Sequence, residues 1–324
     1  MKCYYIKDIN GKTEFEPREV PKPQPKAGEI LVRVRAASLN RGEILASITM
    51  HKVHEPHPAG ADCAGEVEAV GEGVTQFKPG DRIIGRARGS FAEYVAMAAV
   101  QAAAVPRNLS WEHAASLPVA AITAYEAIVP LGRLKSGETL LVAGAASGVG
   151  VNAVQIGKYL GAKVIGLSRS KEKLDKLKGI GMDIGIQASG PGFADKVLEA
   201  TGGNGVNLAI NLVGGTVFPD LVKSLANQGR LAIIGYVDDK HHAELDLETL
   251  HGKRLQVFGV SNTRMTAPQR AEAMKNFARD ILPGFADGKM TAVIDKVFPF
   301  DQLAAAKTYV ETNAQLGKVV IKVA

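Results

Sequence analysis

The chain of 324 residues has only two cysteines, Cys3 and Cys63. Two isolated thiols exclude a disulfide scaffold and a thiolate metal site. They fit a reducing compartment, so a cytoplasmic location is expected. Aromatic residues are sparse, at 6%, and they do not interleave with basic residues as base-stacking surfaces require. The formal net charge of +6 is therefore read as a solvated basic surface that also attracts an anionic ligand, and not as a nucleic-acid footprint. No apolar run is long enough to span a bilayer. The opening Met1-Lys2-Cys3-Tyr4-Tyr5 has no apolar signal-peptide core, so no membrane association is expected. Internal repeats and low-complexity linkers are also missing, and an apolar fraction of 46% argues against disorder.

What is present is a phosphate cradle. Residues 139–150 read Thr-Leu-Leu-Val-Ala-Gly-Ala-Ala-Ser-Gly-Val-Gly, a short apolar strand running into a small-residue loop. A helix pattern follows. Loop amides and the positive helix end then face an anion that no bulky side chain blocks. The expected contacts are Ala145, Ser147, Gly148, Val149 and Gly150, with the Ser147 hydroxyl donating to phosphate. Ala145 and Ser147 stand at the first two positions of the glycine fingerprint, and Gly150 keeps the third. The next strand, 163–167, ends in Ser168-Arg169-Ser170. Proteins selective for the dinucleotide without a 2′-phosphate place a carboxylate near this point to hold ribose hydroxyls. A hydroxyl and a guanidinium suit a 2′-phosphate instead. NADPH is the expected cofactor, with Arg169 on its 2′-phosphate and Ser168 and Lys173 in support.

Residues 1–119 read as β-rich. A strand at 30–39 alternates Val32 and Val34 against Arg33 and Arg35. Further strands are predicted at 67–70, at 83–84 and at 91–95, and Lys78-Pro79-Gly80-Asp81 has the composition of a type II turn. Ser110 reads as an N-cap with Glu112 in the first helical turn. From residue 139 strands and helices alternate. Strands are predicted at 139–143, 163–167, 183–186, 206–211, 230–234 and 255–260, and helices around 149–160, 171–178, 193–200 and 216–226. Gly161 takes the C′ position after the first helix. This order predicts an α/β fold with a doubly wound parallel six-stranded Rossmann sheet over 120–262. The tail 263–324 is predicted to be helical, to end in a strand at 318–322 and to rejoin the first domain.

The ordered segments Gly60-Ala61-Asp62-Cys63-Ala64-Gly65-Glu66-Val67, Val70-Gly71-Glu72-Gly73-Val74 and Gly80-Asp81-Arg82-Ile83 resemble a known family. So do Leu117-Pro118 with Thr123-Ala124-Tyr125, the loop 145–150, Gly229-Arg230-Leu231 with Gly235, and Gly317-Lys318-Val319-Val320. Together they are similar to the medium-chain dehydrogenase/reductase superfamily, in its zinc-independent quinone oxidoreductase branch that includes zeta-crystallin. The resemblance implies a GroES-like catalytic domain, 1–119 with 263–324, beside the Rossmann domain. It also implies a homodimer through strand 255–260, which would close an open sheet edge. Zinc enzymes of this superfamily ligate their metal with Cys, His and Cys or Asp. Asn40, Ala61 and Val119 stand at those positions and lack the needed donors.

By the same resemblance Asn40 lies at the reaction site, its amide donating to the substrate carbonyl oxygen as charge develops. The competing reading is a turn-stabilising Asn. Thr123 and Tyr125 are expected near the cofactor, Tyr125 among the catalytic residues, although helix packing explains them nearly as well. Glu43 matches an acidic position near the family's active site. Gly235, Val260, Ser261 and Asn262 are expected along the cofactor, and Lys318 is expected to reach it, against the alternative of an exposed strand lysine. Gln187-Ala188 replaces a Tyr that helps hold the 2′-phosphate in relatives.

Two patterns are read as decoys. Tyr159 and Lys163 mimic a short-chain dehydrogenase pair, but Gly161 separates helix from strand. His51, His54 and His57 mimic metal spacing, but Pro56 and Pro58 break any helix there. The resulting expectation is NADPH-dependent hydride transfer to quinones or other conjugated carbonyls. Three readings stay beside it: an enoyl reductase of 2-alkenals or enoyl thioesters, a non-catalytic NADPH-binding sensor, and an RNA-binding surface. The proton donor and the physiological acceptor are not identified at this level.

Overall fold

A computed structural model describes residues 1–9, 12–44 and 55–323. His51, His54 and most of the expected substrate rim at 44–59 lie outside the described residues. The chain divides into two units. Met1–Ile122, Thr266–Ala286 and Ala292–Ala324 form the first, and Thr123–Met265 with Asp287–Thr291 form the second.

The chain opens with β1 (Lys2–Ile9), β2 (Lys12–Glu19), β3 (Glu29–Ser38), the short helix α1 (Arg41–Ile44), β4 (His57–Pro58) and β5 (Asp62–Val70). Then come β6 (Arg82–Arg86), β7 (Tyr94–Ala98), β8 (Ala102–Ala104), α2 (Trp111–Ala115) and α3 (Pro118–Ile128). Alternation resumes with β9 (Thr139–Ala143), α4 (Gly148–Tyr159), β10 (Lys163–Ser168), α5 (Lys171–Lys178), β11 (Ile184–Gln187), α6 (Ala194–Ala200) and β12 (Val206–Asn211). It continues through α7 (Phe218–Lys223), β13 (Leu225–Ile233), α8 (Leu247–Gly252) and β14 (Gln256–Gly259). The chain ends with α9 (Ala267–Asp280), α10 (Leu282–Ala286), β15 (Ile294–Pro299), α11 (Leu303–Glu311) and β16 (Lys318–Lys322).

In the first unit a sheet runs in the order β15-β16-β3-β5-β6-β8, with β7 also on β3. Strand β3 is its centre. Ile30, Val32 and Val34 are fully buried, while Arg33 reaches solvent, as the alternation of the strand requires. Val320, Ile321 and Lys322 pair antiparallel with Ser38, Ala37 and Ala36, so the C-terminal strand lies against the end of β3. Asp81 N–H closes on the Lys78 carbonyl at 3.1 Å, and Gly80 takes φ +89°. A type II turn needs that conformation at its third residue, and only a residue without Cβ adopts it freely.

In the second unit the sheet order is β11-β10-β9-β12-β13-β14, and every pairing is parallel. This is the 3-2-1-4-5-6 order of a doubly wound fold. Leu140, Leu141 and Val142 are wholly buried, which explains why β9 reads as an unbroken apolar run. Ser170 caps α5 by accepting from Lys173 N–H. Tyr159 closes α4 and Lys163 opens β10, so the two do not share a helix face.

The structure differs from the sequence reading in several elements. The helix predicted over 216–226 ends at Lys223. Ser224 returns its hydroxyl to the Asp220 carbonyl, and the fully buried Leu225 already pairs with Val206. The strand predicted at 91–95 runs from Tyr94 to Ala98. Phe91 precedes it, exchanging backbone hydrogen bonds with Ala59 and Tyr4. Strand β15 lies in a tail read as helical up to 318.

Candidate active site

The first unit holds a buried polar cluster where β3, β5 and β16 meet. Asp62, fully buried on β5, accepts from Ser38 Oγ at 2.8 Å, from Asn40 Nδ2 at 3.2 Å and from Val119 N–H at 3.1 Å. Asn40 Nδ2 also faces Glu43 Oε1 at 3.2 Å and the Ser38 carbonyl at 3.4 Å. Lys318 is 4% exposed, and its ammonium donates to Asn40 Oδ1 and to the Leu39 carbonyl, both at 2.7 Å. Nearly every polar atom removed from water here finds a partner, as a buried cluster must. Burial lowers the Lys318 pKa, and Asp62 and Glu43 oppose that shift. Burial pushes the Glu43 carboxyl up to about 8, with Asp62 adding to the effect and Lys318 and Asn40 opposing it.

The second unit holds the phosphate cradle. Ser147 is the N-cap of α4, its Oγ accepting from Gly150 N–H at 3.1 Å. That leaves the hydroxyl hydrogen free to point outward, and the amides of Gly148 and Val149, first in the helix, have no intrahelical acceptor. Residues 146–149 are partly exposed while Gly150 is buried. A Cβ on Gly150 would stand 2.3 Å from the Gly144 carbonyl oxygen, so only glycine lets the helix start so close to β9. Donors at a dipole end, in a loop cleared of side chains, fit a pyrophosphate. Arg169 is exposed at the end of β10, and Gln187 Nε2 donates to its carbonyl at 2.9 Å. Ser168 Oγ accepts from Ser170 N–H at 3.2 Å, and Lys173 lies in the first turn of α5.

Several sequence-predicted residues take other parts. Tyr125, expected at the reacting atoms, is 2% exposed. Helix α3 is apolar and buried on nearly every face, so packing accounts for the ring. Ala145 is fully buried, and its N–H is committed to the Leu167 carbonyl at 3.0 Å, so it shapes the turn. Lys318 is not an exposed strand lysine, because its ammonium is buried and donates to Asn40 and Leu39. Val260 N–H is committed to the Ile233 carbonyl at 2.9 Å, whereas Ser261 is exposed and Gly235 partly so. Thr123 is buried and accepts from Asn262 Nδ2. Asp62 and Lys318 as partners of Asn40 escaped the sequence reading. The signal was there: single charges set in apolar runs, Ala61-Asp62-Cys63-Ala64 and Lys318-Val319-Val320-Ile321, imply a buried partner.

Comparison with known proteins now decides the family. Residues 26–107 match the alcohol dehydrogenase GroES-like domain, and residues 148–279 match the zinc-binding dehydrogenase domain. A zinc-type alcohol dehydrogenase-like protein of Schizosaccharomyces pombe is 30% identical over 349 residues, covering 99% of each chain. The chain belongs to the medium-chain dehydrogenase/reductase superfamily. Within this superfamily it falls in the zinc-independent, quinone oxidoreductase-like branch. The quinone oxidoreductase of Rattus norvegicus is 27% identical over 94% of this chain and 92% of its own. A mycobacterial protein solved in complex with NADPH superposes with a TM-score of 0.86 at 27% identity, over 100% of both chains. A phenolphthiocerol/phthiocerol polyketide synthase of Mycobacterium tuberculosis is 29% identical over 94% of this chain, but the chain spans only 14% of its length. Among the described residues no helix is long and apolar enough to cross a membrane.

Proposed function

We propose that this superfamily member is an NADPH-dependent reductase of quinones and other conjugated carbonyls, working without zinc. The observation that carries the reading is the Ser147-capped cradle followed by Arg169, and not a carboxylate, at the end of the next strand. The amides of Gly148 and Val149 with the Ser147 hydroxyl would hold the pyrophosphate. Arg169, with Ser168 and Lys173, would hold the 2′-phosphate. Ser261, exposed, and Gly235, partly exposed, would border the rest of the cofactor. When bound, NADPH supplies hydride to an electron-poor carbon. Quinones are already activated, so Asn40, Ala61 and Val119 need not furnish metal ligands. We further propose a cytoplasmic homodimer joined along β14, an edge strand of its sheet.

The test is NADPH oxidation against benzoquinone, naphthoquinone, phenanthrenequinone, 2-alkenals and simple alcohols, with NADH as control and NADPH binding followed separately. Turnover of quinones or alkenals with NADPH supports the reading, and preference among them separates quinone from enoyl reduction. Alcohol oxidation, or tight NADPH binding with no acceptor reduced, overturns it.

A further inference from the structure

Side chains take over where the ladder between β10 and β11 stops. Its last bond joins Ala188 N–H to the Ser168 carbonyl at 3.0 Å. Beyond it the chain bends, and Ser168 Oγ accepts from Ser170 N–H at 3.2 Å. Ser170 Oγ in turn accepts from Lys173 N–H at 3.3 Å and caps α5. Arg169 stands between these two serines, and its carbonyl accepts from Gln187 Nε2 at 2.9 Å. Gln187 ends β11, directly beside Ser168 in the parallel register. The backbone around residue 169 is therefore tied from both sides. Its guanidinium is exposed and makes no hydrogen bond or ion pair among the described residues.

Gln187 is exposed, at the edge of its sheet, so water would satisfy its amide and the Arg169 carbonyl alike. What the bond between them changes is the freedom of the bend. An arginine on a fixed backbone loses less entropy in closing on an anion than one on a mobile backbone. The ties are also neutral. A glutamine donates to a carbonyl and leaves the neighbouring positive charge unspent, whereas a carboxylate has no donor and would pair with the guanidinium itself.

We propose that Gln187 is a positioning residue for cofactor choice: by holding the Arg169 carbonyl it presents the guanidinium to the 2′-phosphate of NADPH. This rests on the NADPH reading above. Gln187 acts only through Arg169. Its effect therefore disappears when residue 169 has no guanidinium, and it disappears for a cofactor that carries a 2′-hydroxyl in place of the phosphate.

The experiment measures Kd for NADPH and for NADH, by fluorescence titration, in wild type, Gln187→Met, Arg169→Ala and the double variant. Methionine keeps the length of the side chain and removes the donor. Loss of one neutral hydrogen bond corresponds to a roughly two- to tenfold weaker Kd for NADPH in Gln187→Met. The Kd for NADH should hold. In the Arg169→Ala background, Gln187→Met should weaken NADPH no further, because the tie then fixes nothing that meets the phosphate. Three results overturn the positioning role while leaving the reductase reading intact: wild-type NADPH affinity in Gln187→Met, an equal loss with both cofactors, or a full further loss in the Arg169→Ala background. Arg169→Ala that binds NADPH as tightly as wild type removes the arginine from the 2′-phosphate, and the role of Gln187 with it.

Discussion

Lys318 Nζ donates to Asn40 Oδ1 at 2.7 Å. A lysine ammonium has only donors, so the contacted atom must be the amide oxygen, and the amide is locked in one orientation. Its nitrogen therefore faces Glu43 and Asp62. One ammonium contributed by the last strand thus orders a turn that follows β3, far away in the chain.

Removing that ammonium should be expensive. Lys318→Met deprives Asp62 of a buried countercharge and frees Asn40 to flip. Losing one partner of a buried charge pair costs about 3–5 kcal/mol. Urea unfolding near neutral pH should show a loss of that order, with an unchanged slope against denaturant. A loss below about 1 kcal/mol would mean that water already reaches the cluster.

Stability should also carry the signature of Glu43. Its folded pKa, about 8, lies above the ordinary carboxyl value of 4.5. Between those values the folded state binds a proton that the unfolded state has lost. The contribution is therefore fully present below 4.5 and disappears as pH rises through about 8. The slope approaches about −1.4 kcal/mol per pH unit in that window. Lys318, whose pKa is lowered, acts in the opposite sense below its usual 10.5. The difference between wild type and Glu43→Gln isolates the glutamate. Parallel stability curves across the window would refute a raised pKa.

The doubly wound sheet was legible because β9 to β14 obey local rules: apolar runs, an N-cap serine, a C′ glycine. Ser147, Ser110 and Gly161 sit where their chemistry predicted. The strand at 318–322 was legible for the same reason. The buried polar cluster was not. Asp62, Asn40 and Lys318 are brought together by antiparallel pairing of β3 with β5 and β16, and no spacing along the chain encodes that register. A helix buried on nearly every face offers the same pattern as one lining a site, so the residues around Tyr125 carry both readings. Leu225 misled because a strand beginning one residue after a helix cap leaves no turn signal between them.

Cofactor choice should follow Arg169. Its guanidinium is exposed, so the charge-assisted bond to a 2′-phosphate lies at the weak end of its range, about 1.5 kcal/mol. Arg169→Glu replaces attraction with repulsion and should raise KM for NADPH roughly ten- to a hundredfold. kcat should change little, because the phosphate is remote from the reacting carbon. NADH should be affected far less. Steady-state kinetics with both cofactors decides, and equal loss with the two would remove Arg169 from the phosphate site.

The free side of β14 makes the last prediction. This strand ends the parallel sheet, paired only with β13 among the described strands, and Val257 on it is 39% exposed. An open edge with an exposed β-branched side chain invites another strand, and a two-fold copy of itself is the simplest one available. Sedimentation at micromolar concentration should then give twice the chain mass of 34.2 kDa. Val257→Asp places like charges close to the axis and should yield monomers with the fold retained, as circular dichroism would report. Should wild type sediment as a monomer, the edge is protected in another way. If Val257→Asp stays dimeric, the partners meet on a different surface.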